Sequence, residues 1–88
     1  MNIVVIGAGY VGLTAACCLA NSGHQITCVE CDEAKLKLLN QGISPIKEKG
    51  IDQLLKQGFI SGRLTFMPIL PQALEADIVV VAVGTPSL

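Results

Sequence analysis

Apolar residues along this chain fall into short unbroken runs, separated by stretches with a helical repeat. Ile3-Val4-Val5-Ile6 is the first run, and no polar position interrupts it. Such runs fit parallel strands covered on both faces. Residues 25–30, 63–67 and 78–83 read as three more strands; Pro68 stops the third, and the fourth is wholly apolar. Between the first two, residues 10–22 predict a helix whose small, sheet-facing stripe is Gly12, Ala15, Ala16, Leu19 and Ala20. Asn21-Ser22-Gly23 ends it, with Gly23 placed to take the left-handed cap conformation. Asp32 is a fitting N-cap for a second helix through Asn40, which Gly42 closes. Residues 43–50 form a loop containing Pro45. Ile51, Leu54 and Leu55 then mark a short helix ended by Gly58. Residues 71–76 fit one further short helix, with proline tolerated in its first turn.

This alternation argues for an α/β fold, a Rossmann-like parallel sheet. Right-handed crossovers put its strands in the order 3-2-1-4, a partial doubly wound fold. Strand four lies at an edge, yet it is apolar on both faces, a pattern that invites pairing with more protein.

The turn between strand one and its helix reads Gly7-Ala8-Gly9-Tyr10-Val11-Gly12. A lone G-x-G-x-x-G says little. This one leaves a strand, opens a helix and precedes an acidic residue at the end of strand two, the context of a dinucleotide site. Gly7 permits the tight turn. Gly9 lets the backbone approach a pyrophosphate, and Gly12 lets helix and sheet pack closely. The free N–H groups at the helix start, near Tyr10 and Val11, would point at the phosphates, helped by the positive end of the helix dipole. Glu30 follows Gly12 at roughly the 20-residue spacing of the fingerprint. Its carboxylate can accept hydrogen bonds from both adenosine ribose hydroxyls and would repel a 2′-phosphate, which favours NAD over NADP. Lys35, a turn into the second helix, could reach the adenosine side of the cofactor. Thr85, in the loop after strand four, stands at the carboxyl edge of the sheet, where ligands of such folds bind. Each also has a plainer reading: a solvated strand-end charge for Glu30, an exposed helix lysine and an ordinary turn threonine.

The composition narrows the field. Hydrophobic residues make up 51% and charged ones 15% of 88 residues. That is a rich core for a chain that buries only about two-thirds of its unfolded surface. Six basic against seven acidic residues leave no stripe for nucleic-acid phosphates, and 3% aromatics leave few stacking platforms. No membrane span and no targeting segment are read, so the expected location is the cytoplasm. Cys17, Cys18, Cys28 and Cys31 include a C-x-x-C pair, but Cys28 falls inside a strand rather than at a helix start. All four are read as small core residues rather than redox or metal groups. His24, the only histidine, follows a helix C-terminus and is read as structural.

With these residues in view, the chain resembles the N-terminal NAD-binding domain of the UDP-glucose/GDP-mannose dehydrogenase family, nearest its UDP-glucose-oxidising branch. The resemblance rests on residues 3–13, on Ala15-Ala16-Cys17-Cys18-Leu19-Ala20, on Gly23-His24, and on Val79-Val80-Val81-Ala82-Val83-Gly84-Thr85-Pro86-Ser87. It implies NAD-dependent oxidation of a sugar C6 alcohol to a carboxylate in two hydride transfers. Gly7, Gly9, Tyr10, Val11 and Gly12 would hold the pyrophosphate, Glu30 the adenosine ribose, and Lys35 and Thr85 further contacts to NAD. The family often reads aromatic-Glu-Pro-Gly where this chain has Lys47-Glu48-Lys49-Gly50. Its nucleophilic cysteine, in a Cys-Gly-Gly-x-Cys setting, lies far downstream, as do its sugar-binding domain and dimer helix. Residues 1–88 are therefore expected to be the N-terminal part of a dinucleotide-binding domain truncated after strand four. Alone it should be inactive, should meet a UDP-sugar only within a full-length enzyme, and should self-associate through its exposed strand edge.

Two other readings compete. FAD-dependent oxidoreductases share G-x-G-x-x-G-x-x-x-A, matched by Gly7 through Ala16, and often a Glu closing strand two. The Gly84-Thr85-Pro86 loop and the helix-rich stretch 32–58 argue against them. The other is a non-catalytic module that binds a nucleotide or only associates through its open edge.

Overall fold

The computed structural model describes residues 1–7, 9–45, 50–69 and 75–82. Its elements are β1 (Asn2–Ile6), α1 (Tyr10–Asn21), β2 (Gln25–Val29), α2 (Glu33–Leu39), α3 (Ile51–Ser61), β3 (Leu64–Met67) and β4 (Ile78–Val81). All strand pairs are parallel and the order is β3-β2-β1-β4, as the pattern predicts.

Register follows from the burial of one face. Val5 pairs with Cys28 and Val80, and Cys28 with Phe66, so these side chains form one layer. They join Ile3, Ile26 and Leu64 in a core with Leu13, Ala16, Cys17 and Ala20 of α1 and Ile51 and Leu55 of α3. The opposite face is less evenly covered. Val4 is buried there, whereas Val79 and Val81 are 52% and 66% exposed. Burial on both faces therefore holds for the central strand β1 and not for β4. Among the described residues β1 has a strand on each side, and β4 pairs with β1 alone.

The buried stripe of α1 is Gly12, Leu13, Ala16, Cys17 and Ala20. Relative to the predicted stripe, Leu13 and Cys17 replace Ala15 and Leu19, which are only half-buried. Besides the sheet, α1 packs against α3, which turns its contact arc toward that neighbour.

The helix stops are local chemistry. Gly23 has φ +100°, its N–H donates to the Ala20 carbonyl at 3.1 Å, and the His24 N–H donates to Leu19 at 3.2 Å. Gly42, φ +75°, repeats the arrangement: its N–H donates to Leu39 at 3.0 Å and that of Ile43 to Leu38 at 2.9 Å. Both are Schellman caps, which occupy carbonyls the helix leaves free. Asp32 caps α2, accepting from the N–H groups of Ala34 (3.0 Å) and Lys35 (3.2 Å).

Gly58 does not end α3. It lies inside the helix, buried, where an added Cβ would come within 3.2 Å of Leu64 and 3.4 Å of Ala20. The stop is Gly62, at φ +77°. A glycine in a helical pattern can serve close packing or termination, and only the position of β3 and α1 separates the two. Most of the predicted 71–76 helix, and the end of the predicted fourth strand, lie outside the described residues.

Candidate functional site

Three chain segments meet at the carboxyl edge of the sheet. Gly7 leaves β1 with φ +101°, a conformation that strains any residue with a Cβ. Its N–H donates to the Val29 carbonyl at 2.8 Å, tying the turn to the end of β2. On the other side the Ala82 N–H donates to Ile6 at 2.8 Å, tying the end of β4 to the same place. Gly12, in the first turn of α1, faces this junction. A Cβ there would overlap the Gly7 carbonyl oxygen and lie 3.2 Å from the Ala82 Cβ. The absence of that one carbon lets α1 start directly against the turn.

Gly9 is the N-cap of α1, with φ −72° and ψ −170°, and no side chain caps the helix. Its carbonyl accepts the first intrahelical bond, from Leu13 N–H at 2.8 Å. The N–H groups of Tyr10, Val11 and Gly12 precede that bond, so the helix itself offers them no acceptor. A Cβ added to Gly9 would meet no atom of the described residues within 4 Å beyond its chain neighbours, so the space at this cap is open among them. The side chains of Tyr10 and Val11 are exposed beside it, 54% and 68%.

Glu30 follows β2 directly, next to the strand end that Gly7 holds. It is 8% exposed. Its N–H donates to the Met67 carbonyl at 2.8 Å, and its Oε2 accepts the Asp32 N–H at 3.0 Å. The chain therefore turns sharply from β2 into α2, with the carboxylate held at the corner. Lys35 lies in the first turn of α2, exposed, and makes no ion pair among the described residues. Thr85 lies outside the described residues. The structure thus gathers Gly7, Gly9, Tyr10, Val11, Gly12 and Glu30 at one edge and sets Lys35 one element further on. The Asp32–Glu30 hydrogen bond was not read from the sequence. An N-cap two residues after a strand-end acid is its sequence signal, since a chain that must cap at once folds back over the acid.

The cysteines divide. Cys17 and Cys28 are buried, while Cys18 and Cys31 are exposed, contrary to a core role for all four. Cys18 points away from the α1 contact arc, and Cys31 sits at the β2–α2 corner. Burial pushes the Cys28 thiol up to about 12, with the Glu30 charge and then Cys17 adding to it; burial and then Cys18 push Cys17 up to about 11. A redox C-x-x-C needs a lowered thiol at an exposed helix start, and Cys28 is the reverse. Among the described residues no cluster of His, Cys, Asp or Glu could hold a metal, and no helix is long and apolar enough to cross a membrane. His24 bonds locally: its N–H caps α1 as above, and its Nδ1 lies 3.4 Å from the N-terminal amine.

Residues 1–88 match the UDP-glucose/GDP-mannose dehydrogenase family, NAD binding domain. The chain belongs to that family. Its nucleotide-facing domain is one for NAD, which removes FAD as the cofactor. Among its relatives, the UDP-glucose 6-dehydrogenase of Rhizobium meliloti (strain 1021) is 49% identical over 88 residues, 99% of this chain and 20% of the relative. The GDP-mannose 6-dehydrogenase of Pseudomonas aeruginosa is 43% identical, with the same two shares. The crystal structure of a ternary complex of GDP-mannose dehydrogenase from Pseudomonas aeruginosa superposes with a TM-score of 0.92 at 42% identity, covering 100% of this chain and 20% of that one. A UDP-glucose dehydrogenase from Pyrobaculum islandicum superposes with a TM-score of 0.84 at 30% identity, over 99% of this chain and 20% of that one. The chain thus spans about a fifth of the length of these relatives.

Proposed function

We propose that this chain is the N-terminal, cofactor-holding part of a nucleotide-sugar 6-dehydrogenase, UDP-glucose 6-dehydrogenase-like, acting in the cytoplasm. The reaction class is oxidation of a sugar C6 alcohol to a carboxylate, in which bound NAD accepts the hydride of each oxidation step. Family membership supports this, since relatives carry that activity by name. The observation that carries the residue assignment is the open space at Gly9, facing N–H groups without intrahelical acceptors, a short distance along the sheet edge from a buried carboxylate.

A diphosphate suits that opening. Tyr10, Val11 and Gly12 offer backbone N–H donors, the helix dipole is positive there, and Gly7 and Gly9 keep the approach free of side chains. Glu30 accepts from the adenosine ribose hydroxyls through the oxygen that Asp32 leaves free, and its charge disfavours a 2′-phosphate. Lys35 and Thr85 complete the assignment, Lys35 on the adenosine side and Thr85 beyond β4. None of these residues moves a proton or attacks the sugar; the catalytic groups belong to the rest of the enzyme, as does the UDP-sugar site. The apolar, exposed β4 marks where more protein covers the sheet, either further chain or a second copy.

The test is calorimetric titration of the chain with NAD, NADP and FAD. NAD should bind best. Gly9→Ala should weaken NAD tenfold or more, about 1.4 kcal/mol, while costing the fold no more than about 1 kcal/mol at the cap. Equal NAD affinity in Gly9→Ala, or a preference for FAD, defeats the assignment. Size-exclusion chromatography tests the edge: elution as a monomer at all concentrations removes self-association.

A further inference from the structure

We infer that Asp32 is a positioning residue for the cofactor, acting through Glu30; this rests on the assignment of Glu30 to the adenosine ribose. A ribose-binding carboxylate is useful only if one rotamer is populated before the ligand arrives, because ordering it afterwards reduces affinity. In this chain that order comes from the β2–α2 corner. Glu30 Oε2 accepts the Asp32 N–H at 3.0 Å, so one oxygen is held and the other is not engaged by that bond. The Asp32 N–H lies at the corner where the chain leaves β2, and the extended Asp32 backbone, at φ −76° and ψ 114°, carries the chain from that corner into α2. That backbone is in turn held by the Asp32 side chain, whose Oδ1 accepts from Ala34 N–H and Lys35 N–H.

The cap that starts α2 and the aim of the Glu30 carboxylate are thus one device. The Asp32 Oδ1 is occupied by the helix start. A negative charge near a dinucleotide is unfavourable in itself. Asp32 therefore acts through its hydrogen bonds and not through its charge, and this gives opposite signs for two substitutions.

Asp32→Ala removes the cap and leaves the N–H loosely held, so NAD binding should weaken about fivefold, the size of one lost helix cap. Asp32→Asn keeps the acceptor and removes the charge, so NAD should bind as well as to the parent chain or better. Asp32→Ser, a second capping residue, should also restore binding. Calorimetric titration of the 88-residue chain reads all three, with a thermal melt showing that each variant is folded. The deciding measurement is the double variant. With Glu30→Ala already present, Asp32→Ala should produce no further loss, because its route to the ligand is gone. The same loss with and without the Glu30 carboxylate would mean a merely structural cap and overturns the inference. So does an Asp32→Ala chain that binds NAD like the parent while Glu30→Ala binds it weakly. If Glu30→Ala itself leaves NAD affinity unchanged, the ribose assignment fails first and this inference with it.

Discussion

Gly12→Ala tests the closest approach in the fold. A Cβ at Gly12 would overlap the Gly7 carbonyl oxygen, and it would lie 3.2 Å from the Ala82 Cβ. The first obstacle is backbone in a turn held by the Gly7–Val29 hydrogen bond, so no side-chain rotation relieves it. Either α1 shifts away from the sheet or the turn opens. Overpacking of this kind costs about 1–3 kcal/mol, and rigid backbone places this site in the upper part of that range. Against it stands the helix preference of alanine over glycine, about 0.5–1 kcal/mol. The net is about 2 kcal/mol of destabilisation. For a domain of this size that lowers the melting temperature by roughly 8–16 °C. Circular dichroism at 222 nm, followed on heating, measures it. Gly9→Ala is the control, since its Cβ enters open space and its φ of −72° suits any residue. A Gly12→Ala melting temperature equal to or above that of the parent refutes the packing argument. An equal fall in Gly9→Ala would show that the loss belongs to the helix start in general and not to the contact.

Other consequences follow from the same geometry. Under native conditions at pH 8 a thiol reagent should label two cysteines per chain, Cys18 and Cys31, and all four after denaturation; fast labelling of a third would contradict the burial of Cys17 and Cys28. Those two thiols have folded values of about 11 and about 12, against 9.0 for a free thiol, so the unfolded chain ionises first. Their contribution is intact below pH 9 and is lost as pH rises from there through the folded values. Melting temperatures at pH 8 to 11 should fall, and Cys28→Ser should flatten the slope. Gly62→Ala should destabilise by about 1–2 kcal/mol through its left-handed backbone, with Gly62→Asn recovering part of it, in urea denaturation. Gly58→Ala, with φ in the helical range and only side chains to displace, should change stability by less than Gly62→Ala.

Most of the fold was legible because its signals are local. Unbroken apolar runs mark strands, Asp32 marks a helix start, and Gly23 and Gly42 mark stops through backbone conformations that other residues resist. The strand order followed from chirality and connection rules, and the glycine turn with Glu30 at the end of β2 pointed to the carboxyl edge of the sheet, where the structure gathers these residues. What the sequence could not decide was which neighbour each residue meets. Gly58 and Gly62 look alike in the chain, and only the nearness of Leu64 and Ala20 makes one a packing residue and the other a stop. Leu13 and Cys17 entered the buried stripe of α1 because α3 lies beside it. Cys18 and Cys31 left the core because side-chain direction, not hydrophobicity, sets exposure. The bond from the Asp32 N–H to Glu30 exists only once the chain has turned its corner. Periodicity and capping act over a few residues and are written along the chain; close approach and shared hydrogen bonds act between segments, and exist only when the segments are brought together.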